Sequence, residues 1–218
     1  MLGRPQGWPV HTINTRRQAG FTLIELLVAI TILSILLAVG IPTMGKWMSS
    51  SRALTVSEFY AEGLKLARAE AIKRNVVSRF SLIENTTSGQ YDWQVDICVP
   101  TPALLCNADG GNWSTTTAAG AGTGVGDFRS VLRSSSALPK SNLVALTIGD
   151  AGADQVYFTP VGWVDGTITP TLKQITFAPA AGRDGDFPTS AVKLTLAGAV
   201  FKCNPTISTS IADSRACQ

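Results

Sequence analysis

Hydrophobic and polar positions fall into three regimes along the chain. Residues 21–41 read FTLIELLVAITILSILLAVGI, an apolar run with Glu25 as its only charge. An apolar run of about 18 residues or more is long enough to cross a bilayer as a helix. The pattern then continues at helical spacing through Trp47, Met48, Leu54, Phe59, Leu64, Ala67 and Ala71, with Ser49, Arg52, Glu58, Glu62, Lys65, Arg68 and Lys73 between them. Glu62/Lys65 and Glu70/Arg74 add favourable pairs at helical spacing. Gly40 and Pro42 are expected to break this helix, because a proline inside a helix removes a hydrogen bond and kinks or melts it locally. Beyond Asn75 the period changes to two. Residues 77–83 and 91–98 predict half-buried strands joined by a turn at 85–89, and further strands are predicted at 155–159, 174–177 and 191–201. Residues 107–130 carry little hydrophobic pattern and six glycines, which predicts a surface loop rather than a phosphate cradle.

The charge changes what the polar positions mean. The net charge of +3 invites a nucleic-acid reading, but Arg4, Arg16 and Arg17 precede every one of the 15 acidic residues. Without residues 1–20 the balance is 15 basic against 15 acidic. A basic stretch ahead of an apolar helix keeps its side of the membrane cytoplasmic. The single histidine, His11, lies in the same stretch, so the remainder has no imidazole for nucleophilic pairs or metal sites. No nucleophile motif or paired-carboxylate arrangement stands out, and no enzyme, cofactor or metal is expected.

The four cysteines form two local pairs, Cys98 with Cys106 and Cys203 with Cys217, and no C-x-x-C is present. Behind a membrane-targeting segment this reads as two disulfides made in an oxidising compartment. Three connectivities are possible; sequence proximity favours the two local pairs, and a four-thiolate zinc site is the alternative. Closing the 203–217 loop would be worth about 3 kcal/mol in the chain-entropy model.

A secretory signal places its cleavage site after the apolar stretch. Here the stretch begins directly at Gly20-Phe21-Thr22-Leu23-Ile24-Glu25. This hexapeptide resembles the prepilin peptidase site of type IV pilins and type II secretion pseudopilins. The resemblance implies cleavage after Gly20, N-methylation of Phe21, and a charge pair between Glu25 and the new α-amino group of Phe21 on a neighbouring subunit. A carboxylate in a lipid-facing helix costs roughly 2.5–3.5 kcal/mol on insertion scales, so its retention points to such a role. Residues 64–75, the stretch Val156-Tyr157-Phe158-Thr159-Pro160-Val161-Gly162 and the strand region around Gly198 are similar to the FimT/FimU/GspH group of minor pilins and pseudopilins.

The resemblance implies an α+β type IV pilin fold, with a long N-terminal helix packed against an antiparallel β-sheet head. It divides the chain into a leader (1–20), a spine helix (21–75, transmembrane in 21–41) and a head (76–218). Implied partners are other pilin or pseudopilin subunits, the prepilin peptidase and an inner-membrane assembly platform. The chain would sit in the inner membrane with its head in the periplasm, and then in a pilus or pseudopilus. Three roles follow: a minor type IV pilin in assembly priming or at the tip, a GspH-like pseudopilin, or a DNA-binding minor pilin. The last is disfavoured. The Gly-Arg-x-Arg motif associated with DNA binding in FimT proteins is replaced by Gly198-Ala199-Val200-Phe201, and Arg183 stands beside Asp184 and Asp186.

Overall fold

The computed structural model describes residues 20–101, 104–107, 110–116, 128–209 and 213–217, without the side chain of Pro42. Residues 1–19, including His11, and Gly120, Gly122, Gly124 and Gly126 of the expected loop lie outside the described residues.

The helical periods of the sequence form one element, α1 (Leu23–Arg74). The break expected at Gly40 and Pro42 is not found, because α1 runs through both positions. A proline deletes one donor and crowds one carbonyl, and here the bonds on either side carry the helix past it. The division of the chain into two compact units, Met1–Pro42 and Thr43–Gln218, nevertheless falls directly after Pro42. At its other end α1 stops on Asn75, whose φ of +54° is the left-handed conformation that asparagine tolerates. The Val76 N–H donates to the Ala71 carbonyl (3.1 Å) and the Asn75 N–H to that of Ile72 (3.3 Å). This pair of bonds is the Schellman motif, which satisfies the last helical carbonyls and turns the chain into the first strand.

Among the described residues, the second unit contains eight strands in two antiparallel sheets. The first has the order β3 (Val131–Arg133), β2 (Gln90–Cys98), β1 (Val77–Asn85), β5 (Gln155–Phe158). The second has the order β4 (Val144–Ile148), β6 (Gln174–Pro179), β7 (Ser190–Leu194), β8 (Val200–Cys203). This is the expected α+β architecture, with three differences in detail. Strands β3 and β4 arise where no strand was predicted. The strand predicted over 191–201 is a hairpin, β7 and β8, turned by Gly198 at a φ of +76°. The described parts of the 107–130 segment pack on the first sheet, where Ser114 donates its N–H to Ile97 and Ser130 to Thr115.

The core forms where the second half of α1 meets both sheets. The buried stripe runs through Ala53, Val56, Tyr60, Ala61, Leu64, Ala67 and Ala71, against Phe80, Trp93, Phe158, Ile175, Phe177 and Val192. Trp47, Met48 and Leu54, three of the apolar positions read as the helix face, are exposed instead. Small residues decide the face, because they let the helix approach the sheets. At Gly63 a Cβ would lie 2.6 Å from the Phe80 ring and 2.7 Å from the Trp93 ring. Tyr60 bridges the sheets: its ring stacks on Phe177 of β6 at 5.8 Å, and its hydroxyl donates to the Tyr91 carbonyl of β2 at 2.8 Å. Burial raises the Tyr60 phenol above its ordinary pKa and keeps it a neutral donor.

A second, polar linkage holds the crossover between the sheets. Asp92 of β2 accepts from the Ser135 N–H (2.7 Å), the Ser135 hydroxyl (2.8 Å) and the Asn85 amide (2.9 Å). Ser135 opens the short 3-10 turn Ser135–Ala137, on the path from β3 to β4. Burial alone would raise the Asp92 carboxyl, but the bonds from Ser135, Asn85 and Ser134 outweigh it and hold its pKa below the ordinary value.

Two measurements test these contacts. Gly63→Ala is expected to cost about 1–3 kcal/mol through overpacking. Thermal unfolding of the detergent-solubilised chain, followed by near-UV circular dichroism, reads that loss; an unchanged Tm would show spare room at the contact. Asp92→Asn tests the crossover through pH. Because the folded carboxyl is lowered, its charge stabilises the fold above the ordinary aspartate pKa of about 3.9 and loses that contribution as pH falls through the folded value. The gap in denaturant midpoint between wild type and variant should be full at pH 7 and shrink below about pH 4. A gap independent of pH would show that the charge has no part in it.

Candidate functional site

The helix start is built from the hexapeptide around Gly20. Thr22 stands just ahead of α1, and its hydroxyl accepts the Glu25 N–H at 3.3 Å while its carbonyl accepts the Leu26 N–H at 3.2 Å. Thr22 is thus the helix N-cap, a role not read from the sequence although Thr-x-x-Glu is a capping-box spacing. Glu25 lies in the first turn, where the positive end of the helix dipole favours a carboxylate. Phe21 is 84% exposed, and a Cβ at Gly20 would meet no atom within 4 Å among the described residues. Packing therefore does not dictate either residue.

Along 23–41 every described side chain is exposed, and the most apolar window of α1 has no buried residue. A helix that is apolar on all sides requires lipid or other apolar helices around it. The hydroxyls in this stretch are satisfied within the helix. Thr31 donates to the Val28 carbonyl at 2.8 Å and Ser34 to that of Ile30 at 2.7 Å. The Glu25 carboxylate forms no ion pair among the described residues. It is the one charge in the stretch, and an apolar surrounding strongly penalises a charge without a partner.

The remaining predicted residues lie elsewhere. Gly40 and Pro42 are inside α1. Cys98, at the end of β2, is bridged to Cys106, and Cys203, at the end of β8, to Cys217. All four thiols are consumed, so the four-thiolate zinc alternative has no ligands. Among the described residues no group of histidine, cysteine and carboxylate side chains could hold a metal. Gly198-Ala199-Val200-Phe201 forms the turn into β8, and Arg183 is paired with Asp186 at 2.8 Å.

One junction was not read as a site. Arg68 of α1 donates through Nε to the Gly162 carbonyl at 3.1 Å. Gly162 and Gly198, at φ values of +82° and +76°, bring two turns together so closely that a Cβ on Gly198 would lie 2.1 Å from that carbonyl oxygen. The signal in the sequence was the two glycines, each just outside a strand.

Two family models match the chain. Residues 15–41 match the model of the prokaryotic N-terminal methylation motif. Residues 58–199, more than half of the chain, match the model of the type II transport protein GspH. Among solved structures, the chain is similar to the type IV minor pilin FimU of Pseudomonas aeruginosa in two crystal forms. The first shows 13% identity over 76% of this chain and 95% of FimU, with a TM-score of 0.39. The second shows 15% identity over 74% and 98%, with a TM-score of 0.36. None of the curated proteins matches. The chain belongs to the family of the type II transport protein GspH and carries the prokaryotic N-terminal methylation motif at the head of its apolar helix.

Proposed function

We propose that the chain is a minor type IV pilin, processed by prepilin peptidase and built into a pilus as a priming or tip subunit. The observation that carries this reading is Glu25: a single charge, without an ion pair among the described residues, in the first turn of α1, whose stretch 23–41 is otherwise uncharged and exposed. Cleavage after Gly20 would free the α-amino group of Phe21, which becomes the N-methylated terminus. That cation on a neighbouring subunit is the partner Glu25 lacks. The inner-membrane assembly platform would receive the cleaved chain, with the head on the periplasmic side. Two disulfides in the head fit an oxidising compartment. A second reading, a minor pseudopilin of a type II secretion system, is favoured by the description of the matched family itself.

Deletion of the gene, scored in one culture for surface pili and for secreted proteins, tests the assignment. Loss of pili with normal secretion is expected; lost secretion with normal pili would overturn it in favour of the pseudopilin. Two substitutions test the chemistry. Gly20→Glu, at a position with open space around it, should leave the head folded and the leader attached, seen as slower gel migration. Glu25→Ala should be cleaved as wild type yet drop at least tenfold in sheared filaments. Wild-type recovery would remove charge pairing from the mechanism.

A further inference from the structure

Turns at a protein surface are normally built from glycine, proline and polar residues. Two neighbouring turns of the second unit depart from this. The first, Thr159-Pro160-Val161-Gly162-Trp163, closes with the Gly162 N–H on the Thr159 carbonyl (2.7 Å) and the Thr159 N–H on the Trp163 carbonyl (2.8 Å). The second, Thr195-Leu196-Ala197-Gly198, closes with the Gly198 N–H on the Thr195 carbonyl (2.9 Å). They are joined by the Val164 N–H donating to the Leu196 carbonyl at 2.9 Å. Their tips expose Val161 (68%), Trp163 (62%) and Leu196 (71%), and Ile72 of α1, against which Gly162 packs, is 49% exposed. Neither turn contains a charged residue.

The base of this patch is rigid. Arg68 ties the first turn to α1, and the two glycines seat backbone on backbone. Beside it lies a recess of about 360 Å³ between α1 and β8, walled by Ala69, Ile72, Ala199 and Val200 together with the basic side chains of Lys65 and Arg68. A fixed surface centred on tryptophan, uncharged in both turns and rimmed by Lys65 and Arg68 at the neighbouring recess, has the composition of an interface centre with a polar rim.

We propose that this patch docks the head of a different pilin-type subunit in the same assembly. Its size selects that occupant. The four side chains present on the order of 400 Å² of apolar surface, whereas a stable free dimer buries about 800 Å² per partner. A contact of half that size holds only between chains already tethered nearby, where effective concentration replaces area. The apolar N-terminal helices, gathered in one assembly, supply that tether. The partner surface is therefore apolar and uncharged, and it belongs to a chain with its own membrane helix. The inference rests on the assembly reading above, but not on whether the assembly is a pilus or a secretion pseudopilus. A lipid surface fits less well, because the turns themselves carry no basic residues to meet anionic headgroups and the neighbouring Arg68 is engaged by the Gly162 carbonyl.

The test uses the full-length chain in cells that make the whole assembly. A photo-crosslinking amino acid replaces Leu196, and Thr147, exposed on β4, serves as the control position. Irradiation is expected to give, from position 196 alone, an adduct whose peptides identify another pilin-type subunit. The double variant Trp163→Ser/Leu196→Ser should reach wild-type levels in the membrane with both disulfides formed. Its recovery in the sheared assembly should fall at least tenfold. Adducts only with lipid or with a second copy of this chain, equal adducts from position 147, or wild-type recovery of the double variant would each overturn the docking surface. An adduct from position 196 to a subunit of a secretion system would instead overturn the pilus assignment and leave the docking surface standing.

Discussion

The head depends on how closely α1 can approach the two sheets. Its buried face is made of alanines at 53, 61, 67 and 71, a glycine at 63, and only a few large side chains. That lets Phe80 and Trp93 of the first sheet press against the helix backbone, while Tyr60 reaches across to Phe177 and Tyr91. Bulk at Gly63 would lift the helix off the sheet. The Ser78 hydroxyl, which donates to the Ala67 carbonyl at 2.6 Å from β1, would lose its acceptor. The Schellman turn at Asn75 matters for the same reason, because it delivers β1 directly beneath the helix it has just left.

On the opposite face of the first sheet the forces are polar and aromatic. Arg79 of β1 pairs with Asp96 of β2 at 2.7 Å, and its guanidinium lies over the Trp113 ring at 4.4 Å. Trp113 in turn meets Tyr157 edge-on, and the Cys98–Cys106 bridge ties the start of that covering segment to β2. A segment with little hydrophobic pattern is thus held down by cation–π contacts of Arg79 over Trp113 and of Arg74 over Phe128, by the Ser114 N–H on the Ile97 carbonyl, and by one covalent link. Arg79 serves both partners through different parts of the same planar group.

What the sequence makes legible follows from how strong a contrast each feature leaves. The apolar run with its single carboxylate, the hexapeptide at Gly20, the loosely alternating β1 and the better alternating β2 all read directly. The helix face does not: Ala53, Ala61 and Ala67 are hydropathically faint beside Trp47 and Leu54, yet the alanines are inside. Strand β3 is three residues long, and β4 follows a serine-rich stretch that reads as loop. The β7–β8 hairpin hides because its turn, Thr195-Leu196-Ala197-Gly198, is as apolar as the strands it joins, so only Gly198 marks it. The break expected at Pro42 misleads in the other direction, because a long helix with bonds on both sides tolerates the loss of one donor. Thr22, Asp92 and Arg68 act through a few local hydrogen bonds each, and such bonds leave no periodic trace.

The junction of Arg68, Gly162 and Gly198 separates two duties that loops usually share. The base of the two turns is fixed by backbone contacts in which the tip side chains take no part. Val161, Trp163 and Leu196 project from that base into solvent, away from the hydrogen bonds that fix the turns. The arrangement works like a socket with interchangeable bits: drift at three positions can re-key which neighbour the head accepts, while selection on folding acts only on the arginine and the glycines beneath.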